Sequence, residues 1–354
     1  MSEADVGALV DAGRLAAFCE STLRAIGADE ETARDATRAM MHGSLHGVDS
    51  HGVRLLPHYV AAFRGGRLNL RPRLSFRRTR PGSGLLEADH AHGARAAYYA
   101  TDQACNLAAE AGIGAAGIRN TSHFGPAGAY ALEAARNGFC ALVFANSDSI
   151  VRLYDGAAKF HVTNPIAFAA PSGRVEPWLL DTATSAIPFN RVQLYRATGT
   201  PLSEGVASDS AGRDVTDPGA AEMLAPLGGV FGFKGAGLAG MVEVFAAMLT
   251  GMRLSHEILP MGGPDLSTPR EMGAFVVVID PEAFAGGEAL RAAMERYLEA
   301  LRSGPAVPGA VLMAPGDREW GEAARRRVRG IPVDLETQAA LANLAAERGV
   351  PEPY

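Results

Sequence analysis

Residues Gly112-Ile113-Gly114-Ala115-Ala116-Gly117 spell G-x-G-x-x-G, but in the wrong place for that pattern to work. In a doubly wound nucleotide-binding sheet the motif follows a strand and opens a helix. Its glycines make the tight turn and let the backbone approach a pyrophosphate. Here the order is reversed. Residues 96–111 are alanine-rich and helical in composition, and the apolar run that reaches Ile118 reads as a strand. The glycines therefore read as a helix stop, and no Rossmann fingerprint remains. Any α/β fold for this chain needs a different sheet.

Three segments carry chemistry. The first, Asp49-Ser50-His51-Gly52-Val53-Arg54 with Tyr59 beyond it, follows two amphipathic helices predicted over 13–26 and 30–45. His51 offers an imidazole that ordinarily titrates near neutral pH, and Arg54 a planar fork matched to a carboxylate. The alternative is a helix cap, because Asp49 and Ser50 are good cap residues and Gly52 suits a turn.

The second segment is Asn120-Thr121-Ser122-His123-Phe124-Gly125-Pro126-Ala127-Gly128, a strand end that empties into a glycine-rich loop before a helix from about Ala129. Such a loop exposes backbone N–H groups to an anion, with His123 at its mouth. The third, Gly232-Phe233-Lys234-Gly235-Ala236-Gly237, opens an apolar helix expected to be buried. No Ser or Thr follows Lys234, so this is not a Walker A loop. It reads as another anion cradle or as a flexible turn.

Together with Thr163-Asn164-Pro165-Ile166-Ala167 and Asp181-Thr182-Ala183-Thr184-Ser185, these segments resemble the malate/L-lactate dehydrogenase type 2 family. That family includes ureidoglycolate, sulfolactate and diketogulonate oxidoreductases and piperideine/pyrroline-2-carboxylate reductases. The resemblance implies an NAD- or NADP-dependent oxidoreductase of small 2-hydroxy, 2-oxo or 2-imino acids on a non-Rossmann fold, working as a homodimer. It implies His51 with Ser50, or else His123, as the acid/base, and Arg54 with Tyr59 and Thr163 around the substrate carboxylate. His123, Phe124, Gly125, Pro126, Ala127, Ser147, Asp181, Thr182, Ala183, Lys234, Pro315, Gly316 and Arg318 would surround the cofactor.

Two departures stand out. The imino-acid reductases carry an aspartate ten residues after the strand-end Asp, where this chain has Arg191, which cannot accept a proton from histidine; a hydroxy or oxo acid is favoured. Lys159-Phe160-His161-Val162 precedes the Thr-Asn-Pro turn where members of the family usually have a glycine, which would reshape the substrate pocket unless His161 is only a surface residue, the expected case.

Two other classes of function compete with this reading. His42 and His46 share a helix face at a ligand-like spacing, which suggests a metal-dependent hydrolase or lyase, although no HExxH glutamate accompanies them. A non-catalytic ligand-binding protein is the other. A net charge of -6 argues against a nucleic-acid partner, and the Arg325-Arg326-Arg327-Val328-Arg329 run reads as a solvated helix face. Cys19, Cys105 and Cys140 show no C-x-x-C spacing, as expected in a reducing cytoplasm. No signal peptide and no apolar run of membrane-spanning length are expected.

The length calls for two lobes, and 47% apolar residues suffice to fill them. We expect residues 1–80 to form a helical segment carrying the Ser-His-Gly-Val-Arg site, and 81–284 a mixed α/β nicotinamide-binding lobe. Residues 285–354, with helices at 287–303 and 334–348, should pack back on the N-terminal part. Residues 193–225, polar and rich in Pro, Gly and Asp, read as a long surface excursion.

Overall fold

The computed structural model describes residues 8–354. Helices α1 (Ala12–Ala25) and α2 (Glu30–Leu45) each begin on an aspartate, Asp11 or Asp29, whose side chain accepts an N–H of the first turn. Gly27, at φ +97°, ends the first in a conformation that other residues seldom adopt. After α2 the chain makes two short 3-10 turns, Asp49–His51 and Val53–Leu55, and enters α3 (Leu56–Gly65). Leu15, Phe18, Met40, Leu56 and Phe63 of this part share one apolar core with Ile331, Val333 and Leu341. Leu9–Val10 also pair with Ile331–Pro332, so the two ends of the chain are folded together.

The main sheet has seven strands: β1 (Ser75–Arg80), β2 (Ser83–Glu87), β3 (Ile113–Thr121), β4 (Cys140–Ala145), β5 (Ile166–Ala170), β6 (Trp178–Thr182) and β7 (Met272–Ile279). Their order is β1-β2-β3-β7-β4-β5-β6. Only β2 and β3 run parallel, joined by the crossover helix α4 (Gly93–Ala111). The period-two alternation of the strands sends Ala141, Val143, Ala274, Val276 and Val278 to one face, under α4 and α5 (Gly128–Arg136). Phe144 packs on the other face with Val242 and Ala246. Gly112 stops α4 at φ +79°, as expected, but Gly114 and Gly117 lie inside β3. There they permit close packing: a Cβ on Gly114 would fall 2.0 Å from the carbonyl oxygen of Ala104.

The stretch at 193–225 is not a bare excursion. It follows from α6 (Phe189–Thr198) and adds strands Ala207–Ser208 and Met223–Leu224 to a four-stranded sheet with Val151–Arg152 and Lys159–His161. Val151, Val192, Leu202, Ala207 and Leu224 give it a small core, dispersed too widely in sequence to show as a periodic pattern.

A second expectation also changes. Gly229–Met248, spanning α7 (Gly232–Glu243) and a π-helical turn at Val244–Met248, is by length and composition apolar enough to cross a membrane. Its glycines, Lys234 and Glu243 disguise that in the sequence. Nor is it a buried helix. Val242 and Ala246 pack inward, but Phe231, Phe233, Leu238, Met241, Val244, Met248 and Leu249 are exposed. The chain closes with α8 (Gly287–Arg302), α9 (Asp317–Arg329) and α10 (Leu335–Arg348).

Candidate active site

Two imidazoles from distant parts of the chain meet. The rings of His51 and His123 stack with centroids 5.5 Å apart and planes 28° from parallel. Ser50 Oγ lies 2.7 Å from His51 Nδ1, and the Tyr59 hydroxyl 2.9 Å from His123 Nδ1. Each ring is thus held through Nδ1, which orients Nε2 for other work.

Both residues are half-buried, keeping some solvent contact while lying among many protein atoms. Burial lowers His51 to about 4, well under the near-neutral value expected for an imidazole. His123 is also pushed well down, by burial first and then by His51, Arg270, His58 and His92. Tyr59, itself buried, is driven up and stays a phenol.

The cap reading of Asp49 and Ser50 is overturned, for the 3-10 turn has no side-chain cap. Asp49 accepts from Arg326 and Ser50 faces His51. Gly52 is needed for close approach: a Cβ there would sit 2.2 Å from Ser44 Oγ, the atom that accepts the Val53 N–H at 2.9 Å. Arg54 is exposed and pairs with Glu336 of α10 at 3.3 Å.

From His123 the loop runs to the start of α5. Gly125, at φ +76°, faces the His51 carbonyl and the Tyr59 hydroxyl, while Phe124 and Ala127 place their side chains in the core. The anion at this helix start is a protein carboxylate: Gly128 N–H donates to Asp181 Oδ2 at 2.8 Å. Burial raises Asp181 to about 6, with the Gly128 bond opposing and Glu319 adding.

Around the end of β6 the other segments gather. The Thr163 carbonyl accepts from Thr184 N–H and hydroxyl at 2.8 and 3.0 Å, and the Thr182 hydroxyl donates to the Ala183 carbonyl. Leu227 N–H reaches the Thr184 carbonyl, and the Leu227 carbonyl would lie 2.2 Å from a Cβ on Gly235, so this contact seats the start of α7. Lys234 there is exposed, its Nζ 5.3 Å from the Phe231 ring centre.

Pro315 accepts from Leu179 of β6, and Gly316 begins α9. Beside them lies a cleft of about 300 Å³ lined by Arg174, Trp178, Arg302, Pro315, Asp317 and Trp320. Trp178 Nε1 is buried without a partner. An aromatic cleft with an unpaired donor suits one end of a dinucleotide, so the residues fit the implied cofactor. One predicted residue, Arg318, is exposed and paired with Glu319, whereas Ser147 is held by Asp148 and by Arg270, the guanidinium whose charge reaches His123.

The sequence reading missed several groups. Glu243 is buried and accepts from Asn164 Nδ2 at 2.6 Å, from Ser255 N–H at 3.0 Å and from the Ser255 hydroxyl, bracing Asn164 at φ +32° beside Thr163. A lone acid in an apolar helix was its only signal. His161, expected on the surface, is buried edge-on against Phe160, because its strand backs onto the loop at Ser255. Arg326, taken as part of a solvated run, is buried against Asp49, since only its side of α9 faces α2. His42 and His46 pack ring against ring, tilted by 33°, with His46 Nδ1 bonded to the His42 carbonyl. Among the described residues, no group of three or more His, Cys, Asp or Glu stands ready for a metal.

Against known proteins, residues 10–342 match the malate/L-lactate dehydrogenase family. The chain is 31% identical to malate dehydrogenase of Pyrococcus abyssi over 95% of its length and 94% of that protein's. It is 32% identical to (2R)-3-sulfolactate dehydrogenase (NADP(+)) of Chromohalobacter salexigens over 82% of this chain and 86% of the relative. The solved malate dehydrogenase of Pyrococcus horikoshii superposes with a TM-score of 0.89 at 29% identity, covering 98% of both chains. Relatives whose names specify NAD(+) and NADP(+) both occur. The chain belongs to the malate/L-lactate dehydrogenase family of NAD(P)-dependent oxidoreductases.

Proposed function

We propose that the protein interconverts a small 2-hydroxy acid and its 2-oxo acid. The observation that carries this reading is the stacked His51–His123 pair, each imidazole fixed through Nδ1. When bound, the nicotinamide supplies or takes the hydride. His51 moves the proton at Nε2, while His123, on the loop that reaches Asp181, positions the reacting groups. With burial holding His51 low, its ring is neutral at pH 7 and ready as a base for hydroxy-acid oxidation. In the reducing direction an incoming carboxylate raises the affinity of the ring for a proton. Arg54 takes that carboxylate by exchanging Glu336 for it; an exposed ion pair is worth only about 0–1 kcal/mol. Tyr59 acts through His123 rather than on the substrate directly.

In this reading the mixed sheet, not a Rossmann domain, carries NAD or NADP, and the joined ends of the chain form the helical lobe that brings His51 to it. Asp181, Thr182, Ala183, Lys234, Pro315 and Gly316 line the cofactor, with Thr163 nearby. Three unpaired cysteines fit a cytoplasmic setting. Arg191, which lies over the Tyr195 ring on α6, weakens the cyclic imino-acid alternative.

The test is a panel of 2-oxo acids (oxaloacetate, pyruvate, sulfopyruvate and others) and a cyclic imino acid, assayed with NADH and NADPH. Turnover of an oxo acid is expected. Turnover of the imino acid alone would overturn the choice of substrate class, and no nicotinamide oxidation with any member would overturn the reading as a whole.

A further inference from the structure

Arg326 is only 6% exposed, although its neighbours Arg325, Arg327 and Arg329 face solvent. Its Nη1 donates to the Ser44 carbonyl at 2.6 Å and to the Asp49 carboxylate, and Nη2 donates to Asp49 Oδ2 at 3.0 Å. Its Nε donates to Glu322. Ser44 lies in the last turn of α2, where carbonyls lack partners within the helix. Asp49 opens the 3-10 turn that ends in His51. One guanidinium therefore ties the end of the helix to the start of the turn.

The far side of the turn is tied to the same residue, since Ser44 Oγ accepts from Val53 N–H. Ser50 and His51 lie between the two fixed points. Helix α9 also presses on the approach to the turn: a Cβ on Gly47, at φ +78°, would stand 2.9 Å from Glu322 Cγ.

We propose that Arg326 is a positioning residue, which acts through Asp49 to hold His51 where its Nε2 meets the substrate. The inference rests on the reading of His51 as the proton carrier. Asp49 is half-exposed, so the pair adds little net stability, but the guanidinium, itself buried, fixes geometry in two directions at once. Displacement of a reacting group by about 1 Å can cost on the order of 10²-fold in rate.

The experiment compares wild type, Arg326→Ala, His51→Gln and the double variant, together with Arg326→Lys and Asp49→Asn. The readouts are kcat, cofactor affinity by nicotinamide fluorescence, and Tm. Arg326→Ala should lower kcat about 10- to 100-fold and leave cofactor affinity within about twofold. In the His51→Gln background it should lower kcat no further, while Tm falls by the same amount in both backgrounds. Arg326→Lys should regain part of the kcat, because an ammonium can hold one partner but not both. Asp49→Asn, which keeps the shape of the side chain, should lose roughly tenfold.

Equal proportional losses of kcat in both backgrounds would overturn the proposal, and so would unchanged kcat in Arg326→Lys and Asp49→Asn. If Arg326→Ala does not fold, Asp49→Asn in the two His51 backgrounds decides alone. Full turnover by His51→Gln would sink the proton-carrier reading and this inference with it. Loss in His51→Gln beside normal turnover in Asp49→Asn would sink the Arg326 role alone.

Discussion

Ser50 and Tyr59 occupy corresponding atoms on two neighbouring imidazoles, but they leave the rings unequal. His51 sits on a turn between two helices, and His123 on a loop whose other end grips Asp181. If His51 carries the proton, His51→Gln should cut kcat by about 10²–10⁴ and spare cofactor affinity. His123→Gln should instead weaken the cofactor complex and leave the pH limb of kcat/KM in place. Loss of that limb in His123→Gln, with His51→Gln retaining it, would exchange their roles. These residues were legible in the sequence because a polar cluster in a turn or a glycine-rich loop has few structural uses. Arg326 was not, since one buried arginine looks like its solvated neighbours until a partner helix is in place.

At the scale of elements, glycine meant one thing in sequence and another in space. Gly112 was readable as a helix stop; Gly114 was not readable as a contact surface, because the carbonyl of Ala104 that it admits belongs to the preceding helix. Gly114→Ala should therefore destabilise the protein by about 3 kcal/mol or more, the upper range for overpacking against backbone. Gly321→Ala, in α9 with nothing within 4 Å of the added methyl, should be neutral or gain up to about 1 kcal/mol. Urea unfolding of the pair would test this, and equal midpoints would contradict it. Long helices such as α2 and α8 were predictable from end signals and amphipathic spacing. The small sheet at Ala207 and Met223 was not, because two-residue strands are fixed by partners at Val151 rather than by local pattern.

Taken whole, the molecule holds seven of its nine histidines neutral by burial. Burial lowers His42, His46, His51, His58, His92, His123 and His161 below the usual value near 6.5, with His51 at about 4 and His92 at about 3. The unfolded chain binds protons at these sites before the native one does, so their contribution is complete above about pH 6.5 and declines toward pH 4. Each fully buried ring contributes a slope of up to about 1.4 kcal/mol per pH unit in that window. Asp181, raised to about 6, acts in the opposite sense, as do Asp35 and Asp102, also raised by burial, but these three carboxyls are outnumbered by the seven rings. The urea midpoint should be much lower at pH 5 than at pH 7.5; equal midpoints would refute the assignment. The exposed apolar side chains from Phe231 to Leu249 favour a symmetric dimer, for which light scattering should give twice 37.0 kDa. A fully active monomer at micromolar concentration would exclude it. The joining of the two ends of the chain also sets an order of events during synthesis. The turn bearing His51 leaves the ribosome early, but Arg326, 277 residues after Asp49, and the strand at Ile331 that complete its surroundings emerge much later. A nascent chain stalled before α9 can build its sheet and still lack a finished turn, so catalytic competence should arrive abruptly once α9 and the strand at Ile331 have emerged.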